Sequence, residues 1–286
     1  GGLGTRLHPV TKNISKQLLP IYDKPMIFYP LTTLMLSGIK DYFLITSPKY
    51  TESFKSLFDD GNKFGINIKY IEQENPDGIP NAFKLVKKYV NDEPIILILG
   101  DNIFYGHNLV GAIKKCIENS KNNSAIISCR VSNPEEFGVI EFDKNNKPIK
   151  IKEKPIKPKS NFVVTGLYIY TSDVFEKVYK LKPSSRGETE ISDLNNLYLK
   201  ENKLNVEILK RGISWFDTGN FDSMLNSSMF VNAVEKRQGF KIAIPDEVAW
   251  RNSWINDQDL EKLAYSNKNE RIKLYLLNLL KEKNYE

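Results

Sequence analysis

Cysteine and histidine are scarce, with two of each among 286 residues: Cys116 and Cys129, His8 and His107. Two cysteines without a CxxC spacing cannot build a disulfide framework and read as reduced, buried small residues. Two histidines are too few for an imidazole-based zinc site. No uninterrupted apolar run approaches the roughly 18 residues a bilayer span needs, and no basic, apolar, small-residue leader opens the chain. The expectation is a soluble, cytoplasmic protein that engages no membrane. Internal repeats and low-complexity linkers are also missing. What is present is an ordinary globular mix, 41% apolar and 27% charged, which excludes disordered and fibrous classes. This length buries a core without disulfides or structural metal, as one large α/β domain or two ordinary ones. A net charge of +6 points to an anionic partner, for which small phosphates and nucleic acid both qualify.

Short β-branched runs bounded by Gly, Pro or Asn alternate with segments of helical apolar spacing. The pattern predicts strands at 42–47, 68–73, 94–99, 124–131, 138–142, 149–153, 163–170 and 206–210, and helices at 26–37, 81–90, 109–119, 172–180 and 192–201. The first half therefore reads βαβα, an α/β fold with a mostly parallel sheet flanked by helices. The run PIILIL at 94–99 lacks polar alternation, as a central strand covered on both faces would. After Asn133 the spacing tightens into hairpins, one closed by DKNNK at 143–147, so some antiparallel pairing is expected. From Phe221 helices take over, at 221–237, 257–265 and 270–281. The chain thus divides into a core, 1–220, and a C-terminal helical extension, 221–286. Phe230, Trp250, Trp254, Leu274, Leu276, Leu279 and Leu280 give that extension more apolar bulk than one sheet face needs, which predicts burial partly between subunits.

The first six residues, Gly1-Gly2-Leu3-Gly4-Thr5-Arg6, are followed by Lys12, Lys16 and Lys24. Glycines let backbone N–H groups approach an anion, and the cations neutralise it, so the chemistry suggested is polyphosphate binding. The run is neither a Walker A loop nor a dinucleotide GxGxxG. Asp101, in Leu99-Gly100-Asp101-Asn102, follows the most apolar strand, where open α/β sheets bind ligands, and can hold a hard cation through oxygen. Asp217, in Trp215-Phe216-Asp217-Thr218-Gly219, ends another apolar segment and precedes a helix. Two strand-end carboxylates and a basic glycine loop together suit a Mg²⁺-nucleotide site.

The stretch GGLGTRLHPVTKNISKQLLPIYDKPMIFYPL resembles the signature of the sugar-1-phosphate nucleotidyltransferase family, most closely its thymidylyl-transferring branch. Ordered matches continue through QENPDG (73–78), LGDNIFYGH (99–107), EFGVIEFD (136–143), EKPIKPKSNFVVTGLYIY (153–170), KPSSRGETEISDLN (182–195) and RGISWFDTGN (211–220), covering nearly the whole chain. The resemblance implies the Rossmann-like, mixed nucleotide-diphospho-sugar transferase fold. It implies that Gly1, Gly2, Gly4, Thr5 and Arg6 wrap the triphosphate of dTTP with Lys16 and Gln17, and that Gln73 and Gly78 read thymine. Asp101 and Asp217 would hold Mg²⁺. Asn102, Gly138, Glu153, Lys154, Val164, Tyr168 and Arg186 would take glucose 1-phosphate, Glu153 on hydroxyls and Lys154 on phosphate. Arg6, Lys16, Asp101, Lys154 and Asp217 would form the catalytic set. Lys152, Lys157 and Lys159 read instead as a solvated basic hairpin, and His8 and His107 as structural. The family places a strand directly before the glycine loop, where this chain starts. Ile79-Pro80-Asn81-Ala82 stands where the family has Leu-Ala-Gln-Ala, losing a donor and a methylene beside the base.

The implied product is dTDP-glucose, a precursor of dTDP-rhamnose and other deoxysugars for polysaccharides, made by a homotetramer with a dTDP-sugar feedback ligand. Two alternatives stand beside it. One is a sibling enzyme using UTP, CTP, ATP or another sugar phosphate; the other is a non-catalytic nucleotide-sugar or nucleic-acid binder. The cations lie in phosphate-loop motifs without the interleaved aromatics of a single-strand platform, which argues against nucleic acid.

Overall fold

A computed structural model describes residues 4–184 and 187–282. From Gly4 the chain runs through short 3₁₀ turns into a tight hairpin, β1 (Pro20–Ile21) and β2 (Lys24–Pro25), and then α1 (Phe28–Leu36). β3 (Asp41–Thr46), α2 (Thr51–Phe58) and β4 (Asn67–Glu72) make a βαβ unit with parallel pairing, Tyr42 opposite Ile68. After α3 (Asn81–Val86) come β5 (Ile95–Ile98), β6 (Asn102–Gly106), α4 (Leu109–Glu118) and β7 (Ser124–Arg130). The hairpin of β8 (Gly138–Phe142) and β9 (Pro148–Glu153) leads to β10 (Phe162–Tyr170), α5 (Val174–Lys177), α6 (Ile191–Lys200), β11 (Leu204–Ile208) and β12 (Ile213–Asp217). Helices α7 (Phe221–Gln238), α8 (Pro245–Arg251), α9 (Asp257–Ser266) and α10 (Glu270–Glu282) follow.

β10 organises the sheet. Eight of its nine residues are buried, and it holds β7 along one edge while its other edge is shared by β5, over Leu167–Tyr170, and β8, at Val163. The mixed sheet flanked by helices is as expected, but parallel pairing among the described residues is confined to β3–β4 and β7–β11. The parallel share falls short of the βα alternation because the long central strand runs antiparallel to three neighbours. β5 is half-buried throughout, not enclosed. It pairs with β10 on one side, while Leu97 and Leu99, with Phe43 and Ile45 of β3, line a cavity of about 1350 Å³. The DKNNK turn closes as expected: the Asp143 carboxylate accepts the N–H groups of Asn145 and Lys147, both at 2.8 Å.

The helical extension packs on the core. Val231 of α7 joins Ile21, Met26, Tyr29 and Ile103; Val248 and Ala249 of α8 join Ile27, Leu31 and Met35. α9 and α10 bury Leu260, Ala264, Leu276 and Leu279 together with Ile244. This corrects the basis of the oligomer expectation, because Leu276 and Leu279 are covered within the chain and Phe230 packs on Phe216 and Tyr105. Trp250, Trp254 and Leu280 are partly covered, and of that set Leu274 stays exposed. The large apolar side chains left exposed on α7 are Phe221, Leu225 and Met229, spaced by four along one face.

Candidate active site

β6 and β12 form an antiparallel ribbon that sorts its residues by strand period. Asp217 lies directly opposite Asn102, and Trp215 opposite Phe104. One face carries Ile103 and Phe216 into the cluster beneath α7, and the other carries Phe104 and Trp215 toward α4. Asp101 immediately precedes β6, so both carboxylates emerge at the same end of the ribbon. Thr218, fully buried, locks that end: its N–H and Oγ1 both donate to the Asp101 carbonyl, at 3.0 and 2.7 Å. Asn220 and Ser223 then cap α7 reciprocally, so the chain turns into helix three residues after Asp217.

The pair is electrostatically unequal. Lys16 is bound to Asp101 Oδ2, and Asn102 Nδ2 donates to Asp101 Oδ1 at 3.0 Å. Burial would raise the Asp101 pKa, but the Lys16 ammonium more than offsets it and holds the carboxyl below its ordinary range. Asp217 is pushed up to about 6, first by burial and then by the negative charge of Asp101, against the pull of Lys16, Arg6 and Lys154. The Arg6 guanidinium reaches this point because residue 219 is glycine; a Cβ there would lie 2.8 Å from Arg6 Nη2 and 3.3 Å from Asp217 Oδ1. The structure therefore brings together five sequence-predicted residues from distant segments: Arg6, Lys16, Asp101, Lys154 and Asp217. Two adjacent carboxylates, one of them hard to ionise without a counter-cation, are a donor set that Mg²⁺ accepts alongside substrate phosphates. No cluster of three or more His, Cys, Asp or Glu occurs among the described residues.

On the side predicted for sugar, the Ser192 hydroxyl donates to Glu153 Oε2 at 2.6 Å, and Gly138, buried opposite Glu153 in the β8–β9 hairpin, leaves room for both. Lys154 is exposed and sits at φ +40°, with its N–H bonded to the Phe137 carbonyl at 3.0 Å. Tyr168 is buried, and its phenol is pushed up by burial and then by the negative charges of Glu153, Asp101 and Asp217. Val164 is buried on the same strand. Gly1, Gly2 and Arg186 lie outside the described residues.

On the side predicted for the nucleotide, Gly4 takes a left-handed φ of +65° with Thr11 Oγ1 on its carbonyl, and Thr5, Lys16, Gln17 and Gln73 share the wall of the large cavity. Gln17 packs over Gly100, where a Cβ would meet it at 2.9 Å. Gly78, at φ +102°, abuts the backbone of Thr189 too closely for any side chain. The sequence departures fit that loop. Pro80 directly precedes α3, and Asn81 Nδ2 donates to the Asp77 carbonyl at 2.7 Å.

Some expectations do not hold. Lys24 does not join the phosphate-loop cations, because it is buried against Asp23 and Glu235. His8 and His107 are both exposed and pack into no core, and Cys129 is half-buried. Lys152, Lys157 and Lys159 are exposed, as expected of a solvated hairpin. Sequence reasoning missed Trp215, Gly166, Ser192 and Thr218. All four lie inside the quoted blocks, but only folding shows what they touch.

A Rossmann-like mixed sheet with a glycine loop, two aspartates and converging cations defines a nucleotide-handling transferase, and the chain belongs to the nucleotidyl transferase family, whose model matches residues 1–234. The match ends inside α7. The chain is 47% identical over 282 residues, 99% of its length and 98% of the relative's, to a glucose-1-phosphate thymidylyltransferase of Neisseria meningitidis. It is 48% identical over 280 residues to the enzyme of that name from Mycobacterium tuberculosis, covering 98% and 96% of the two chains. A Bacillus anthracis crystal structure in complex with sucrose, assigned to the same enzyme, superposes with a TM-score of 0.73 at 36% identity, over 80% of this chain and 91% of that one.

Proposed function

We propose that the chain transfers a thymidylyl group from dTTP to glucose 1-phosphate, giving dTDP-glucose and pyrophosphate. The observation that carries this reading is the convergence of Asp101, Asp217, Arg6, Lys16 and Lys154, in a chain 47% identical over nearly its full length to an enzyme of that name.

The nucleophile is a phosphate oxygen of glucose 1-phosphate, largely dianionic at neutral pH because a second phosphate pKa is about 6. No general base is needed, so the chemistry asks of the protein only that it bring two polyanions together in line. The glycine loop, Arg6, Lys16 and Gln17 bind the triphosphate, with Gln73 and Gly78 at the thymine. Lys154 and Arg186 hold the sugar phosphate, Glu153 accepts from sugar hydroxyls, and Tyr168, Val164 and Gly138 wall the sugar pocket. Arg6 and Lys16 then offset charge developing on the departing pyrophosphate. Asp101 and Asp217 would hold Mg²⁺, which when bound neutralises phosphate charge at the α-phosphorus.

Core residues 1–220 carry this chemistry, and 221–286 serve assembly as a homotetramer with a dTDP-sugar feedback site. None of the described helices is long and apolar enough to cross a membrane, and we place the enzyme in the cytoplasm with its phosphorylated substrates. Pyrophosphate release from a panel of nucleotides with glucose 1-phosphate and Mg²⁺ tests the reading. Fastest release with dTTP is expected, and silence with both dTTP and UTP refutes it. A dUTP rate within about two orders of magnitude fits, since it differs from dTTP by one methyl, which discriminates by roughly 1–3 kcal/mol.

A further inference from the structure

Trp215 has no part in the reaction just described, yet it touches what stands behind two of its residues. It precedes Asp217 by two positions on β12, so both side chains project from one face, and it lies diagonally across from Asn102. Its Nε1–H donates to Asn102 Oδ1 at 2.6 Å, and the Gly166 N–H donates to the same oxygen at 2.9 Å. Two N–H donors on one oxygen admit a single amide orientation, because the flipped NH₂ would face donors only. Nδ2 is thereby aimed at Asp101 Oδ1, 3.0 Å away. The approach is tight and dry: Asn102 is 2% exposed, and a Cβ on Gly166 would lie 2.5 Å from its Cγ. The β10 ladder to β7 breaks between Val164 and Tyr168, which is where Gly166 meets the amide. On the second contact, the indole meets the Phe137 ring edge-on, centroids 5.1 Å apart, and the Phe137 carbonyl accepts the N–H of Lys154. A lysine at φ +40° keeps that conformation only where its surroundings enforce it.

We propose that Trp215 is a positioning residue for nucleotidyl transfer, a role that rests on the reaction proposed above. Through Asn102 it sets the direction in which Asp101 presents Oδ1, and through Phe137 it steadies the backbone that presents Lys154. Asn102, expected on the sugar phosphate, then works inward on Asp101. With Lys16 on Oδ2 and Asn102 on Oδ1, the carboxylate has one orientation; without the indole donor, the Gly166 N–H alone holds the amide, and the amide and then the carboxylate are less firmly fixed. Displacements of about 1 Å in such groups slow reactions by roughly 100-fold.

Trp215→Phe keeps a ring against Phe137 and removes only the donor. It is compared with the unaltered chain, Asn102→Ala and the double variant, by pyrophosphate release with dTTP, glucose 1-phosphate and Mg²⁺. Hydrogen exchange of the Asn102 side-chain amide is followed by NMR without substrates. The expected result is a kcat loss of roughly 10- to 100-fold with both KM values within about threefold, a double variant no slower than Asn102→Ala, and amide exchange about tenfold faster or more. The proposal is overturned by a kcat within about threefold of the unaltered chain, by losses that multiply in the double variant, or by unchanged amide exchange. A raised KM for glucose 1-phosphate at unchanged kcat overturns it too, making Trp215 a wall of the sugar pocket. If Trp215→Phe does not fold, Asn102→Ala decides: a kcat-only loss supports the relay and normal turnover refutes it. An unaltered chain inactive with every nucleotide refutes the reaction reading instead, and amide exchange still decides whether Trp215 orients Asn102.

Discussion

Asp217 meets two opposed demands. Its burial beside Asp101 makes ionisation costly in the metal-free protein, while the proposed chemistry needs the charge. Its folded pKa, about 6, is raised from the ordinary 3.8. The contribution of the protonated group to stability is therefore full below about 3.8 and is lost as pH rises through about 6. Asp217→Asn should accordingly stabilise the metal-free protein at pH 7.5 by on the order of 1–3 kcal/mol, with the gain fading toward pH 4. The same variant should lose turnover by about 10²-fold or more. Thermal unfolding across pH in chelator, paired with pyrophosphate release, checks both. A variant that turns over normally would make Asp217 a structural residue at the start of α7. Ser192 acts on the other carboxylate. Ser192→Ala frees Glu153 Oε2 of a 2.6 Å bond, and should raise KM for glucose 1-phosphate roughly five- to tenfold, the worth of one such hydrogen bond, with kcat nearly unchanged in steady-state kinetics.

Among the elements, α7 is held to the β1–β2 hairpin by buried charge. Glu235, 5% exposed, accepts from Lys24 at 3.4 Å, from Lys241 at 2.5 Å and from the Ile242 N–H at 2.9 Å, while Asp23 takes both lysines from the other side. Burial would raise the Asp23 pKa, and the two lysines hold it below its ordinary range instead. Glu235→Ala leaves Lys24 buried with half its compensation and should cost about 3–5 kcal/mol, whereas Glu52→Ala at the exposed Lys55 pair should leave stability nearly unchanged. Denaturant unfolding of the two variants separates them. Elements carrying one strong period were legible: β8 is observed over the residues expected, and α4 buries Leu109, Ile113 and Cys116 at helical spacing. β6 and β12 were not, because five-residue strands with Asn, Gly, Ser and Asp at or near their ends carry too little alternation. α2 and α8, of eight and seven residues, are too short to stand on propensity and form where Phe54, Phe58 and Val248 are buried.

For the whole molecule, the extension closes the core from behind, and an apolar stripe on α7 faces outward. Phe221, Leu225 and Met229 are 49%, 59% and 60% exposed. Two copies laid antiparallel and crossing at Leu225 would cover the stripe. Leu225→Glu should therefore shift the protein to a smaller species in light scattering across a concentration series while leaving the monomer's thermal stability nearly unchanged. An unaltered chain that is monomeric at micromolar concentration would refute both this interface and the tetramer. Noncompetitive inhibition by dTDP-rhamnose against both substrates is expected of a feedback site remote from Asp101 and Asp217, and purely competitive inhibition would place that ligand in the active site.

The linear pattern determined the α/β class, the helical end of the chain and the residue types of the site, because strand and helix periods and a glycine-rich basic loop are local properties. It located Asp101 and Asp217 separately. Only the tertiary structure decided that the β6–β12 ribbon sets them side by side, that Lys24 leaves the phosphate loop for a buried pair with Glu235, and that Trp215 stands behind Asn102. Those outcomes depend on groups more than a hundred residues apart sharing one desolvated space, where charge and hydrogen-bond direction are set by neighbours that no local window contains.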